Sequence, residues 1–141
     1  MSAVFTAALI ARHSDKAVSV HGEKKDDGTP VVQWPFQGGD HQKWNLEATT
    51  SGYYVVRAVH SAKALSVDGE STAEGAKVIQ WGTVTGPHQQ WRLVQKDNGY
   101  FALQNRHSGL YLSVNGESTD NGAALVQWSG GEAHHQQFRL G

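Results

Sequence analysis

The sequence predicts an all-β fold, a closed barrel with three-fold internal symmetry. The first observation is a gapless repeat of 47 residues, which divides the 141-residue chain into 1–47, 48–94 and 95–141. The second is that each copy breaks into four short runs rich in apolar, aromatic and β-branched residues, separated by Gly, Asp, Asn and Ser. The third is that no segment sustains a 3.6-residue periodicity over a helix length.

The repeat is carried by dipeptides in fixed register. His13-Ser14, His60-Ser61 and His107-Ser108 stand 47 residues apart, as do Gln33-Trp34, Gln80-Trp81 and Gln127-Trp128. His41-Gln42, His88-Gln89 and His135-Gln136 keep the same spacing. Twelve of the 47 columns are identical in all three copies, far beyond chance.

In the second copy the four runs are Tyr53 to Arg57, Ala64 to Val67, Lys77 to Trp81 and Gln90 to Val94. Asp68-Gly69-Glu70-Ser71, Thr85-Gly86-Pro87 and Asp97-Asn98-Gly99 supply turn residues around them. About twelve short strands result. A propeller also uses four-stranded units, but three blades leave no workable channel. Closure into a barrel removes exposed strand edges and is the better solution. Thr6 to Ile10 aligns with Tyr53 to Arg57 and Tyr100 to Gln104, so the first apolar stretch reads as a barrel strand.

Composition narrows the function classes. There are no cysteines, hence no disulfide framework or thiol chemistry. The formal net charge is -1 with both signs interspersed, which offers no basic patch for nucleic acid. Val4 to Ala11 is too short to span a membrane and lacks the flanks of a signal peptide. The expectation is a cytoplasmic protein, or one secreted without a classical signal peptide. No metal, cofactor or catalytic constellation is expected. His134-His135 has no spaced carboxylate set beside it, no nucleophile elbow is present, and no Gly-rich loop precedes a helix.

Gln42-Lys43-Trp44, Gln89-Gln90-Trp91 and Gln136-Gln137-Phe138 resemble the QxW motif of the ricin B-type β-trefoil lectins. The preceding His-Ser, the apolar-Ser-Val run, the Gly turn and the run ending in Trp are similar too. The resemblance covers the whole chain as one domain, 1–141. It implies a six-stranded barrel closed at one end by three hairpins. It also implies up to three shallow sugar sites, commonly for galactose or N-acetylgalactosamine, and a binding protein rather than an enzyme. The family site uses an Asp on the second strand, an aromatic at the end of the third, and an Asn before the QxW Gln. The aromatic corresponds to Trp34, Trp81 and Trp128, and the Gln to Gln42, Gln89 and Gln136. The Asp position holds Ser19, Ser66 and Ser113, and the Asn position His41, His88 and His135. Because both departures occur in every copy, they mark either a changed binding chemistry or an ancestor that had already lost the site.

A pyranose needs an exposed aromatic face for its C–H patch and a few fixed polar groups for its hydroxyls. The three Trp residues can supply the face. Strand residues two apart share a side, which places His21, Asp68 and Asn115 beside Ser19, Ser66 and Ser113 on the expected solvent face, with Val20, Val67 and Val114 inward. Glu23, Glu70 and Glu117 follow in the turn and offer further acceptors. Asp68 makes the second repeat the strongest candidate, Asn115 the third plausible, and His21 the first weakest if an anionic acceptor is required. The neutral imidazoles of His41, His88 and His135 can donate or accept. Trp44, Trp91 and Phe138 are expected in the core, and His13, His60 and His107 are expected to bond backbone. Gln33, Gln80 and Gln127 also read as structural, and backbone bonding in a tight turn competes with a ligand role for the QxW Gln.

The leading expectation is a lectin whose partners are glycans, with an oligomer left open. A protein-binding trefoil such as a protease inhibitor is the first alternative, since fold does not set function. Its loop would be unique to one copy, and 35–40, 82–87 and 129–134 do differ, whereas the candidate site residues are the more uniform set. A scaffold with degenerate sugar sites is the second alternative.

Overall fold

The computed structural model describes residues 4–84 and 86–141; Thr85, in the turn expected at 85–87, lies outside the described residues. Thirteen strands and six short 3₁₀ turns are formed, with no α-helix among the described residues. Six strand positions build the barrel. They are β1 (Val4–Ala7) with β2 (Leu9–Ala11), β5 (Trp44–Ala48), β6 (Tyr53–Ala58), β9 (Gln90–Gln95), β10 (Phe101–Asn105) and β13 (Phe138–Leu140). All neighbours are antiparallel. β1 and β2 are one strand interrupted at Ala8, which is why thirteen segments appear where about twelve were expected. β1 pairs with β5 and β2 with β13, and the Ala8 N–H and C=O pair with Gly141 at 3.1 and 2.9 Å. This change of partner closes the barrel.

Three hairpins cap one end: β3 (Ala17–Val20) with β4 (Val31–Trp34), β7 (Ala64–Val67) with β8 (Val78–Trp81), and β11 (Tyr111–Val114) with β12 (Leu125–Trp128). Single bridges at Pro30 and Ile79, Val32 and Ala124, and Lys77 and Val126 join them in a triangle. The strands expected in the second copy are therefore present within a residue at each end.

Trp44, Trp91 and Phe138 are fully buried, in one core cluster with Leu9, Leu46, Leu65, Leu103, Leu112 and Leu125. Burying a side chain of this size contributes about 1.5–3 kcal/mol. The indole N–H of Trp44 donates to the Val18 carbonyl and that of Trp91 to Leu65, both at 2.9 Å, tying barrel to cap. A second set of bonds runs between repeats. The Gln33 amide donates to the Ser118 and Asp120 carbonyls and its oxygen accepts from Ser14 Oγ. Gln80 and Gln127 repeat the arrangement with Lys24 and Asp26, and with Ser71 and Ala73. His13 Nε2 meets the Ser118 carbonyl at 2.7 Å and His60 Nε2 the Lys24 carbonyl at 2.8 Å. Those histidines bond backbone as expected, but backbone of the neighbouring repeat rather than of their own turn.

Candidate functional site

Each capping hairpin opens its first strand into a tight turn with two consecutive left-handed residues. In the first repeat these are Gly22 (φ 62°) and Glu23 (φ 58°), in the second Gly69 (63°) and Glu70 (55°), in the third Gly116 (64°) and Glu117 (57°). Glycine takes that region freely, whereas an ordinary side chain there costs about 1–2 kcal/mol. The turn forms one wall of a cavity. The last residue of the hairpin, Trp34, Trp81 or Trp128, forms another. The 3₁₀ turn before the next barrel strand adds His41, His88 or His135. The three cavities measure about 280, 390 and 290 Å³ in chain order. Their tryptophans are 40%, 43% and 47% exposed, so each presents an apolar face to solvent.

Ser19, Ser66 and Ser113 are placed differently from expectation. They are only 2%, 1% and 1% exposed, because both faces of the hairpin strand are covered. The i, i+2 alternation holds, since Val20, Val67 and Val114 are buried in the core and His21, Asp68 and Asn115 are exposed at the cavity rim. The serine side of the strand, however, is covered by the loop leading to the QxW turn, so that Ser19 and Ser66 line their cavities with almost no exposed surface and Ser113 does not line the third. Each hydroxyl donates to the carbonyl two residues back, Ala17, Ala64 or Tyr111, and accepts from the amide of Gln42, Gln89 or Gln136. A serine bonded in this way is no replacement for a solvent-facing carboxylate.

The QxW glutamines are likewise interior. Gln42 donates to the Pro35 carbonyl and accepts from Gln37 N–H; Gln89 does the same with Gly82 and Val84, and Gln136 with Ser129 and Gly131. Their contribution to the cavity is to hold the loop that follows the Trp.

His41, His88 and His135 are brought to the cavities, with side chains 12%, 10% and 15% exposed. In each, Nδ1 lies 3.7, 3.8 or 3.8 Å from Oε1 of Glu23, Glu70 or Glu117, beyond hydrogen-bond reach. Burial pushes all three imidazoles below their ordinary pKa, and the carboxylate only partly opposes it. A second histidine ring adds to the depression: His60 beside His41, His107 beside His88, His13 beside His135. The rings are therefore neutral near pH 7 and can accept or donate. His88 Nδ1 is buried with no hydrogen-bond partner among the described residues.

Sequence reasoning missed how each indole is buttressed. A Cβ placed on Gly28 would lie 3.7 Å from Cζ3 of Trp81, on Gly75 3.5 Å from that of Trp128, and on Gly122 3.9 Å from that of Trp34. Each site thus borrows a turn from the neighbouring repeat. The same turn supplies Asp27, which accepts from Gly82 N–H at 2.9 Å, and Glu74, which accepts from Ser129 N–H at 3.1 Å. The first repeat has Pro35 at that position, which has no N–H to donate. Gly28, Gly75 and Gly122 have φ of 86°, 83° and 85°, the left-handed region that glycine takes freely, and this lets the turn lie against the indole. Val32, Ile79 and Val126 also line the cavities, and nothing in their spacing sets them apart from other buried strand residues. Among the described residues no group of three or more His, Cys, Asp or Glu is gathered to hold a metal ion.

The family model described as ricin-type beta-trefoil lectin domain-like matches residues 6–81 and 87–141. A designed three-fold symmetric protein, ThreeFoil, is 45% identical over 96% of both chains, with a TM-score of 0.94. An exo-beta-1,3-galactanase from Clostridium thermocellum is 30% identical with a TM-score of 0.93, covering 96% of this chain but 29% of the enzyme. A ricin B-like lectin of Macrolepiota procera, solved in complex with lactose, shares the fold at 18% identity, with a TM-score of 0.83 and coverage of 96% and 94%. No curated protein matches the sequence.

Proposed function

Since the chain belongs to the ricin-type β-trefoil lectin domain-like family, we propose that it is a glycan-binding module with three sites and no catalytic role. The observation that carries this reading is the recurrence, once per repeat, of one cavity walled by a half-exposed Trp and a His–Glu pair. An indole face suits the C–H patch of a pyranose, and the polar rim suits its hydroxyls. Galactose or N-acetylgalactosamine is the favoured ligand, in line with the lactose bound to the Macrolepiota procera lectin. Each open cavity alone would bind on the order of millimolar to tens of micromolar, as expected for one stack and a few hydrogen bonds. Three sites on one rigid barrel would raise avidity for a dense glycan surface by roughly 10²–10⁴.

The test is a glycan array at pH 7.4 with the wild type and with W34A/W81A/W128A. Binding to a coherent set of galactose-terminated glycans, lost in the triple variant while the melting temperature holds, supports the reading. Absence of wild-type binding to any glycan at high protein density removes it.

A further inference from the structure

The carboxylate that anchors sugar hydroxyls in related sites has no counterpart at the strand position of this chain. Ser19, Ser66 and Ser113 are buried and already engaged as donor and acceptor. A carboxylate nevertheless enters every cavity from the adjoining turn. Glu23, Glu70 and Glu117 line the three cavities, with side chains 74%, 68% and 76% exposed. None of the three carboxylates makes a hydrogen bond to the protein among the described residues, and each stands just outside bonding distance of its histidine.

Backbone conformation argues that the side chain is there for its chemistry. These glutamates are left-handed, where Gly or Asn is cheaper and Glu brings no compensating local bond. The molecule has another left-handed turn column for comparison. Positions 15, 62 and 109, with φ of 59°, 61° and 73°, hold Asp, Ala and Gly. At that column the side chain drifts from copy to copy, and at positions 28, 75 and 122 the left-handed demand is met by Gly in every copy. At 23, 70 and 117 all three copies hold Glu at the same unfavourable φ. Backbone strain kept without a structural return is characteristic of functional sites.

We propose that Glu23, Glu70 and Glu117 are the hydroxyl-accepting carboxylates of the three sites, and that their ligands are neutral pyranosides presenting a vicinal diol. This rests on the glycan-binding reading and names its anchor and ligand class. One carboxylate accepts two adjacent hydroxyls in charge-assisted bonds, while the neutral imidazole 3.7–3.8 Å away bonds a third oxygen on the same edge. The same charge repels sialylated, uronic or sulfated sugars. The repulsion is greatest in the second site, where Asp68 adds a further carboxylate to the cavity wall.

The experiment prints an array with neutral galactosides, N-acetylgalactosaminides, N-acetylglucosaminides and mannosides, each beside a sialylated or sulfated counterpart. Wild type, E23Q/E70Q/E117Q and W34A/W81A/W128A are compared at pH 7.4. Glutamine keeps the size and backbone demands of glutamate and removes the charge. The expected result is a loss of roughly 10-fold or more in affinity for neutral glycans, since charge-assisted bonds are replaced by neutral ones. The ratio of anionic to neutral binding should rise, a change that a purely structural role would not produce. The melting temperature should be unmoved. Neutral binding within about two-fold of wild type in the Glu variant, with loss in the Trp variant, overturns this proposal and leaves the glycan-binding reading standing. No wild-type binding to any glycan overturns both.

Discussion

Replacing Gln89 by Ala tests whether the QxW glutamine is a structural bolt. The side chain is fully buried and makes three bonds: from Val84 N–H at 2.8 Å, to Ser66 Oγ at 3.0 Å and to the Gly82 carbonyl at 3.0 Å. Each such bond is worth about 1 kcal/mol net, and a buried partner left unpaired adds to that. Val84 is itself largely exposed, so water relieves its N–H. The sum is about 3 kcal/mol. For 141 residues the unfolding entropy is about 0.3 kcal/mol/K, so the melting temperature should fall by about 10 °C. Gln89→Glu is the sharper companion. It keeps the shape but turns the two donor contacts into oxygen facing oxygen, and it buries a charge. It should be at least as destabilising as Ala at pH 7, and less so as the pH falls and the carboxyl protonates. Calorimetry or urea titration reads both. A loss under about 1 kcal/mol for Gln89→Ala would refute the idea that these bonds hold the loop between Trp81 and His88.

The depressed histidines predict an acid-sensitive fold. The unfolded chain binds protons to His41, His88 and His135 more readily than the native one, so their contribution is fully present above the ordinary histidine pKa of about 6.5 and declines as pH falls through it toward the lower native values; urea midpoints at pH 7.5 and 5 should differ, and H41Q/H88Q/H135Q should flatten the difference. Gly75→Val should disturb the third site alone. It forces a β-branched residue to φ 83° and presses on Trp128, costing about 1–2 kcal/mol and shifting only the Trp128 indole signal in a nitrogen–proton spectrum. Trp91→Phe removes the indole bond to Leu65 and some ring volume, for a loss of about 1–3 kcal/mol by urea titration; the third repeat tolerates Phe138 in the equivalent place.

The three-fold barrel was legible because repetition and hydrophobic patterning are local in sequence. Trp44, Trp91 and Phe138 fell in the core for the same reason, and the strands of the second repeat matched within a residue. The candidate site was legible only in part. The alternation that set Val20 inward and His21 outward held, yet the serine side of that strand is closed by a loop about twenty residues further along, held by Gln42. Periodicity states which side a residue faces and not what covers that side. The bonds of His13 and Gln33 to the third repeat, and the seat of Trp34 against Gly122, cannot be read from spacing because their partners lie in another repeat.

The sequence by itself therefore determined the repeat and the closed all-β architecture, since these follow from composition and spacing along the chain, while the Trp, His and Gln of each site came from the resemblance of its motifs to a known family. Tertiary structure alone decided which of those groups reach solvent. Folding each loop back over its own hairpin buries the serines and glutamines, while closing the barrel backs the indoles with another repeat's glycine and leaves the left-handed glutamates standing in the cavities beside desolvated histidines.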